Sequence, residues 1–83
     1  MESINHELIK AIQRIPTDWD GAHHIVQDHN TNLACWIHAV LHKIEGDESN
    51  SRYWYARCNK NYEDFKNTKQ ELEAILKQLN ILG

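Results

Sequence analysis

Apolar side chains return every three or four positions through most of this 83-residue chain, and that spacing restricts it to helices. Leu33, Ile37, Val40 and Ile44 form the most regular stripe, one face of a helix that runs to about Glu45. Ile4, Leu8, Ile12 and Ile15 mark an earlier helix, with Ser3 placed as its N-cap and Pro16 as its end. Between the two, Thr17-Asp18-Trp19-Asp20 resembles a capping box and opens a short helix from about residue 18 to 28, weakened by Gly21. His29-Asn30-Thr31-Asn32 is a turn-rich break. Gly46 supplies the left-handed residue that closes the third helix, and Asp47 or Ser49 then caps a fourth through residues 51–58. From Tyr62 onward, Phe65, Leu72, Ile75, Leu76, Leu79 and Leu82 predict one long amphipathic final helix.

These elements predict an all-α fold, a small antiparallel helical bundle of about five helices with a central helical hairpin around Gly46. Eighty-three residues form one domain, spanning 1–83, and leave no room for a second. The adjacent Tyr53-Trp54-Tyr55 would suit a strand, but helical patterns flank it and no second strand is available to pair with it. The three aromatics are therefore expected to pack, with Trp54 turned inward. The hairpin looks like a single tetratricopeptide-type unit, although one hairpin is not an array.

Charge and targeting signals narrow the function classes. A formal net charge of −3 opposes attraction to a polyanion. Lys60, Lys66, Lys69 and Lys77 alternate with Glu63, Asp64, Glu71 and Glu73, as on a solvated helix face rather than a basic stripe. No nucleic-acid partner is expected. The polar Glu2, Ser3, Asn5 and His6 carry no secretory signal, and no apolar run is long enough for a membrane, so a cytoplasmic location without membrane contact is expected. Cys35 and Cys58 fall in no Cys-x-x-Cys motif and are expected as buried or half-buried thiols.

Two segments carry a resemblance. The stretch His38-Ala39-Val40-Leu41-His42-Lys43-Ile44-Glu45-Gly46-Asp47-Glu48-Ser49-Asn50-Ser51-Arg52-Tyr53-Trp54-Tyr55-Ala56-Arg57 resembles the signature of a family of short, uncharacterised, mostly bacterial proteins, approximately H-A-x-L-H-R-x-E-G-D-x-x-N-A-x-Y-W-Y-x-R. Ala22-His23-His24-Ile25-Val26-Gln27-Asp28 looks like the family's upstream A-H-(D or H)-x-x-Q-D box. Lys43 stands where arginine is usual, Ser51 where alanine is usual, and Cys58-Asn59 where Ala-Gly commonly follows. The resemblance carries no activity with it.

The chemistry-bearing residues gather on helix faces. His38, His42 and Glu45 share a face set apart from the apolar stripe, and imidazoles at i and i+4 with a carboxylate three residues on can converge on one divalent metal, the candidate cofactor. The plainer alternative is a pair of surface or hydrogen-bonded histidines. No His-Glu-x-x-His motif is present, which excludes a zincin-type protease. His23 and Gln27 pair at i, i+4 on the second helix, and Asn50, Tyr53 and Arg57 lie with Trp54 on one face of the fourth. Should these helices meet, His23, Gln27, Asn50, Tyr53 and Arg57 would line a ligand-binding cleft. Arg57 is expected to form an ion pair with Glu45 or Asp47 that locks the hairpin, with an anion-binding or catalytic pair as the sharper alternative.

Two functions follow. The first is a protein-interaction module, presenting an exposed apolar patch beside Tyr55 and Trp36 to a protein partner or to a second copy in a homo-oligomer. The alternative is a small ligand- or metal-binding domain or enzyme that uses the His/Gln/Glu face.

Overall fold

The computed structural model describes residues 4–82 and the side chains of residues 4–80. It contains five α-helices and no strand among the described residues: α1 (Ile4–Arg14), α2 (Trp19–Gln27), α3 (Asn32–Glu45), α4 (Glu48–Arg57) and α5 (Thr68–Leu82), with a single 3₁₀ turn at Tyr62–Asp64 before α5. The small helical bundle is thus as its apolar spacing predicts. The expected N-cap of α1, Ser3, lies outside the described residues.

The helix starts follow capping chemistry. Asp18 caps α2, its carboxylate accepting from the backbone N–H of Gly21 at 3.0 Å. A Cβ on Gly21 would lie 2.1 Å from that carboxylate, so the glycine that weakens the helix interior is what admits its cap. Thr31 caps α3 by accepting from Ala34 N–H at 3.1 Å. Of the two candidates for α4, Asp47 is the cap, bonded to Asn50 N–H at 3.3 Å. Gly46 ends α3 at φ 86°, the left-handed conformation expected of it.

α3 sits at the centre, packed on α2, α4 and α5, while α1 packs on α2 and α5. Neighbours on three sides bury far more of α3 than one stripe: Trp36, Ile37, His38, Ala39, Val40, Leu41 and His42 are all buried in succession. Ile44, expected in the stripe, is instead exposed, on the last turn of α3. Leu8, Ile12, Val26, Ile75 and Leu79 complete the core from the other helices. The aromatic run of α4 divides by direction. Tyr55 is buried, Trp54 is only half-buried and Tyr53 is exposed, so the fully inward ring is the neighbour of the one expected.

The long final helix predicted from Tyr62 is two pieces. The Asn67 carboxamide oxygen accepts from Gln70 N–H at 3.1 Å and starts a new helix there. The Lys43 ammonium, reaching up from α3, donates to the carbonyls of Tyr62 and Phe65 at 2.8 Å each, drawing those oxygens away from helical partners. Lys43 also donates to Glu71 Oε1 at 3.1 Å, while Trp36 Nε1 and Tyr55 Oη donate to Glu71 Oε2 at 2.8 and 2.6 Å. Glu71, expected on a solvated face, is therefore completely buried, and both its oxygens are satisfied. Burial and the adjacent Glu71 carboxylate raise the Tyr55 phenol, keeping it a protonated donor.

Candidate functional site

α2 lies against the middle of α3, and this brings together three imidazoles from the two helices. One ring nitrogen each of His23, His38 and His42 lies within 4.8 Å of the other two. His23 Nε2 and His38 Nε2 share a hydrogen bond at 3.0 Å. His42 Nδ1 and Glu45 Oε1 are 2.6 Å apart, which fixes the imidazole and leaves its Nε2 for another partner. The i, i+4 spacing of His38 and His42 sets one beside the other, with ring centroids 5.0 Å apart. His23 reaches them from the facing helix.

Two indoles hold the trio in place. Trp19, one turn before His23 on α2, stacks on it at 5.0 Å and donates from Nε1 to the Leu41 carbonyl at 2.9 Å, pinning α2 to α3. Trp54 of α4 stacks on His38 at 3.9 Å. The helical pattern contained the first contact, since Trp19 and His23 are four residues apart, but nothing local signals the second.

Burial dominates the electrostatics. His38 and His42 are only 6% and 7% exposed. Burial, then the neighbouring His23 and His42, pushes the His38 imidazole down to about 4. Burial and His42 lower His23 as well, against smaller opposing effects of Glu45 and Asp20. Both rings are thus held neutral near pH 7, the form in which an imidazole nitrogen can donate a lone pair.

The other expected site residues divide. Gln27 is exposed and within 3.3 Å of His24 Nδ1, outside the imidazole trio. Asn50 bonds to the Asp47 carboxylate at 3.4 Å and Tyr53 accepts from Arg57 at 3.3 Å. Neither Asn50 nor Tyr53 joins the histidines. The ion pair expected between Arg57 and Glu45 or Asp47 is not formed. Arg57 closes the far end of α4, about 15 Å along the helix from its Asp47 cap. There its guanidinium lies over the rings of Tyr53 and Trp54, 5.6 and 5.3 Å from their centroids. Gln27, His38, Trp54 and Arg57 do line a common cleft of ≈ 210 Å³ between the α2–α3 turn and α4.

Tyr55 and Trp36, beside which an exposed apolar patch is expected, are themselves only 2% and 5% exposed and bonded to Glu71. Cys35 and Cys58 are free thiols, half-buried and buried. Burial, with Cys35 beside it, pushes the Cys58 thiol up to about 12, which makes it a poor nucleophile. No helix among the described residues is long and apolar enough to cross a membrane. Comparisons of the chain with protein-family models, with curated proteins and with solved structures return no match.

Proposed function

We propose that this protein is a small metal-binding domain whose site is the His23/His38/His42 trio, with Glu45 as the carboxylate behind it. The observation that carries this reading is the convergence of three buried or half-buried imidazoles on one point from two helices. Around a tetrahedral zinc ion with bonds of about 2.0–2.1 Å, ligand nitrogens sit about 3.3 Å apart. The 3.0 Å His23–His38 separation and the 4.8 Å bound on all three require only small side-chain adjustments to meet that geometry. Glu45 at Nδ1 of His42 supports the reading further, because a carboxylate on the non-ligating nitrogen orients the ring and raises its basicity. The two segments of the family resemblance contribute all four residues, and they meet at this cluster.

A second acidic grouping, His42 with Glu45 and Asp47, is a weaker candidate. Its Asp47 carboxylate already caps α4, and both carboxylates are exposed.

An all-nitrogen trio favours zinc, nickel and copper over manganese, which prefers oxygen donors. Three protein ligands also leave one position of a tetrahedral ion for solvent or a bound molecule. Thermal unfolding of the parent with zinc, nickel and manganese is the test, alongside His23→Ala and a His38→Ala/His42→Ala double variant. Zinc and nickel are expected to raise the melting temperature of the parent alone, by the equivalent of ~2.7 kcal/mol at a hundredfold excess over Kd. His23 is half-buried, so its variant keeps the comparison open if the double variant is too unstable to measure. Equal responses in parent and His23→Ala, or no response in either, reject the metal site.

A further inference from the structure

We propose that the cleft between the α2–α3 turn and the C-terminal half of α4 binds a small oxyanion-bearing molecule, a carboxylate or a phosphate, with Arg57 as its countercharge. At ≈ 210 Å³ the cleft is smaller than the roughly 300–1,000 Å³ of drug-sized pockets, so it suits a compact metabolite. Its lining is chemically one-sided. Among the described residues, no aspartate or glutamate borders it, and Arg57 is the residue that contributes a full positive charge. Gln27, Asn30 and Asn32 border the same space, Gln27 Nε2 lying 3.3 Å from His24 Nδ1 and Asn32 Nδ2 donating to the Cys58 carbonyl at 3.2 Å, so that one amide hydrogen of each of these two is left for a ligand, and the His38–Trp54 stack supplies a flat wall.

The pairing of the arginines separates Arg57 from the other two. Arg14 lies 3.8 Å from Asp18, and Arg52 is bound to Glu48 at 2.7 Å and to Glu63 at 2.5 Å. Among the described residues Arg57 has no carboxylate partner, and it donates instead to Tyr53 Oη at 3.3 Å. Stacked against Trp54 and Tyr53, its guanidinium is held at the rim with most of its five N–H donors uncommitted. Such a fork matches two oxygens of one carboxylate or phosphate. The first turn of α3 also borders the cleft through Thr31 and Asn32, and its helix dipole adds positive potential there.

The cleft is complete without a metal, and of the three clustered histidines it touches His38. The proposal therefore goes beyond the metal reading and is tested apart from it, on the full chain in EDTA. Phosphate, methyl phosphate and acetate are titrated at constant ionic strength, with chloride as the background anion. The side-chain amide resonances of Gln27 and Asn32 are followed by NMR. Parent, Arg57→Gln and Arg52→Gln are compared, the last removing the same charge from the same helix outside the cleft. Saturable shifts are expected in the parent and in Arg52→Gln, with affinity weakened at least about tenfold in Arg57→Gln. Preference between the phosphates and acetate identifies which oxyanion the cleft takes. Shifts that do not saturate, or affinities equal in all three proteins, overturn the proposal.

Discussion

The Glu45 carboxylate holds Nδ1 of His42 at 2.6 Å from a side chain that is 38% exposed, so it can be removed without opening the core. Glu45→Ala is expected to weaken zinc affinity by about 10–100-fold while leaving the melting temperature of the metal-free protein within a few degrees of the parent. Isothermal titration and a thermal scan check both halves; unchanged affinity would mean that the carboxylate does not tune the site. Ser51 offers a contrast. Its hydroxyl donates to the Ala39 carbonyl at 2.6 Å in a fully buried contact between α4 and α3. Ser51→Ala should cost about 1 kcal/mol in a urea melt, and no measurable loss would show that bond to be energetically idle. The histidines are legible in the sequence because helical spacing places residues four apart on one face. Their burial is not, because it depends on α2 and α4 closing over them. The ion pair expected of Arg57 fails for a related reason. Opposite charges near one another in the sequence suggest a pair, but a ten-residue helix separates Arg57 from Asp47.

At the scale of elements, the start of α4 is legible at Asp47, whereas α2 is capped by Asp18 rather than by the Thr17 that heads a capping box, and Thr31 is the cap hidden in a segment that reads only as a turn. Gly46 belongs with Asp47. It stands at φ 86° with nothing within 4 Å of the place a Cβ would occupy, so Gly46→Ala meets no clash but must adopt a left-handed backbone. A loss of about 1–2 kcal/mol is expected, read as a lower urea midpoint at constant slope. The split of the last helix is not legible. Its cause is Lys43, which stands 19 and 22 residues from the carbonyls it captures and 28 from Glu71. No local pattern of lysine and glutamate distinguishes that buried pair from the exposed charges around it. Glu71→Ala should cost about 3–5 kcal/mol, since it strands the Lys43 ammonium and leaves Trp36 and Tyr55 without acceptors. A variant with parental stability would show that water enters and satisfies them.

For the molecule as a whole, the imidazole cluster makes acid a specific stress. In the metal-free protein His38 is held at about 4, against an ordinary value of 6.5 in the unfolded chain. Unfolding therefore takes up a proton between those values, and stability is full above about pH 6.5 and falls as the pH drops toward 4. The groups facing His38 are His23 from α2 and His42 from its own helix, and burial lowers His23 in the same sense. About 3 kcal/mol is expected to be lost across that window from His38 alone. Urea melts in EDTA from pH 7 to pH 4 measure it, and His38→Gln should flatten the slope; the same slope in both proteins would assign the acid sensitivity elsewhere. The placement of the three tryptophans has an optical consequence. Trp19 and Trp54 lie face to face with His23 and His38, whereas Trp36 is tied to Glu71. A paramagnetic ion such as cobalt or copper at the trio should darken the first two indoles most strongly and spare more of the emission from the third, giving the protein a built-in fluorescent gauge of its own occupancy.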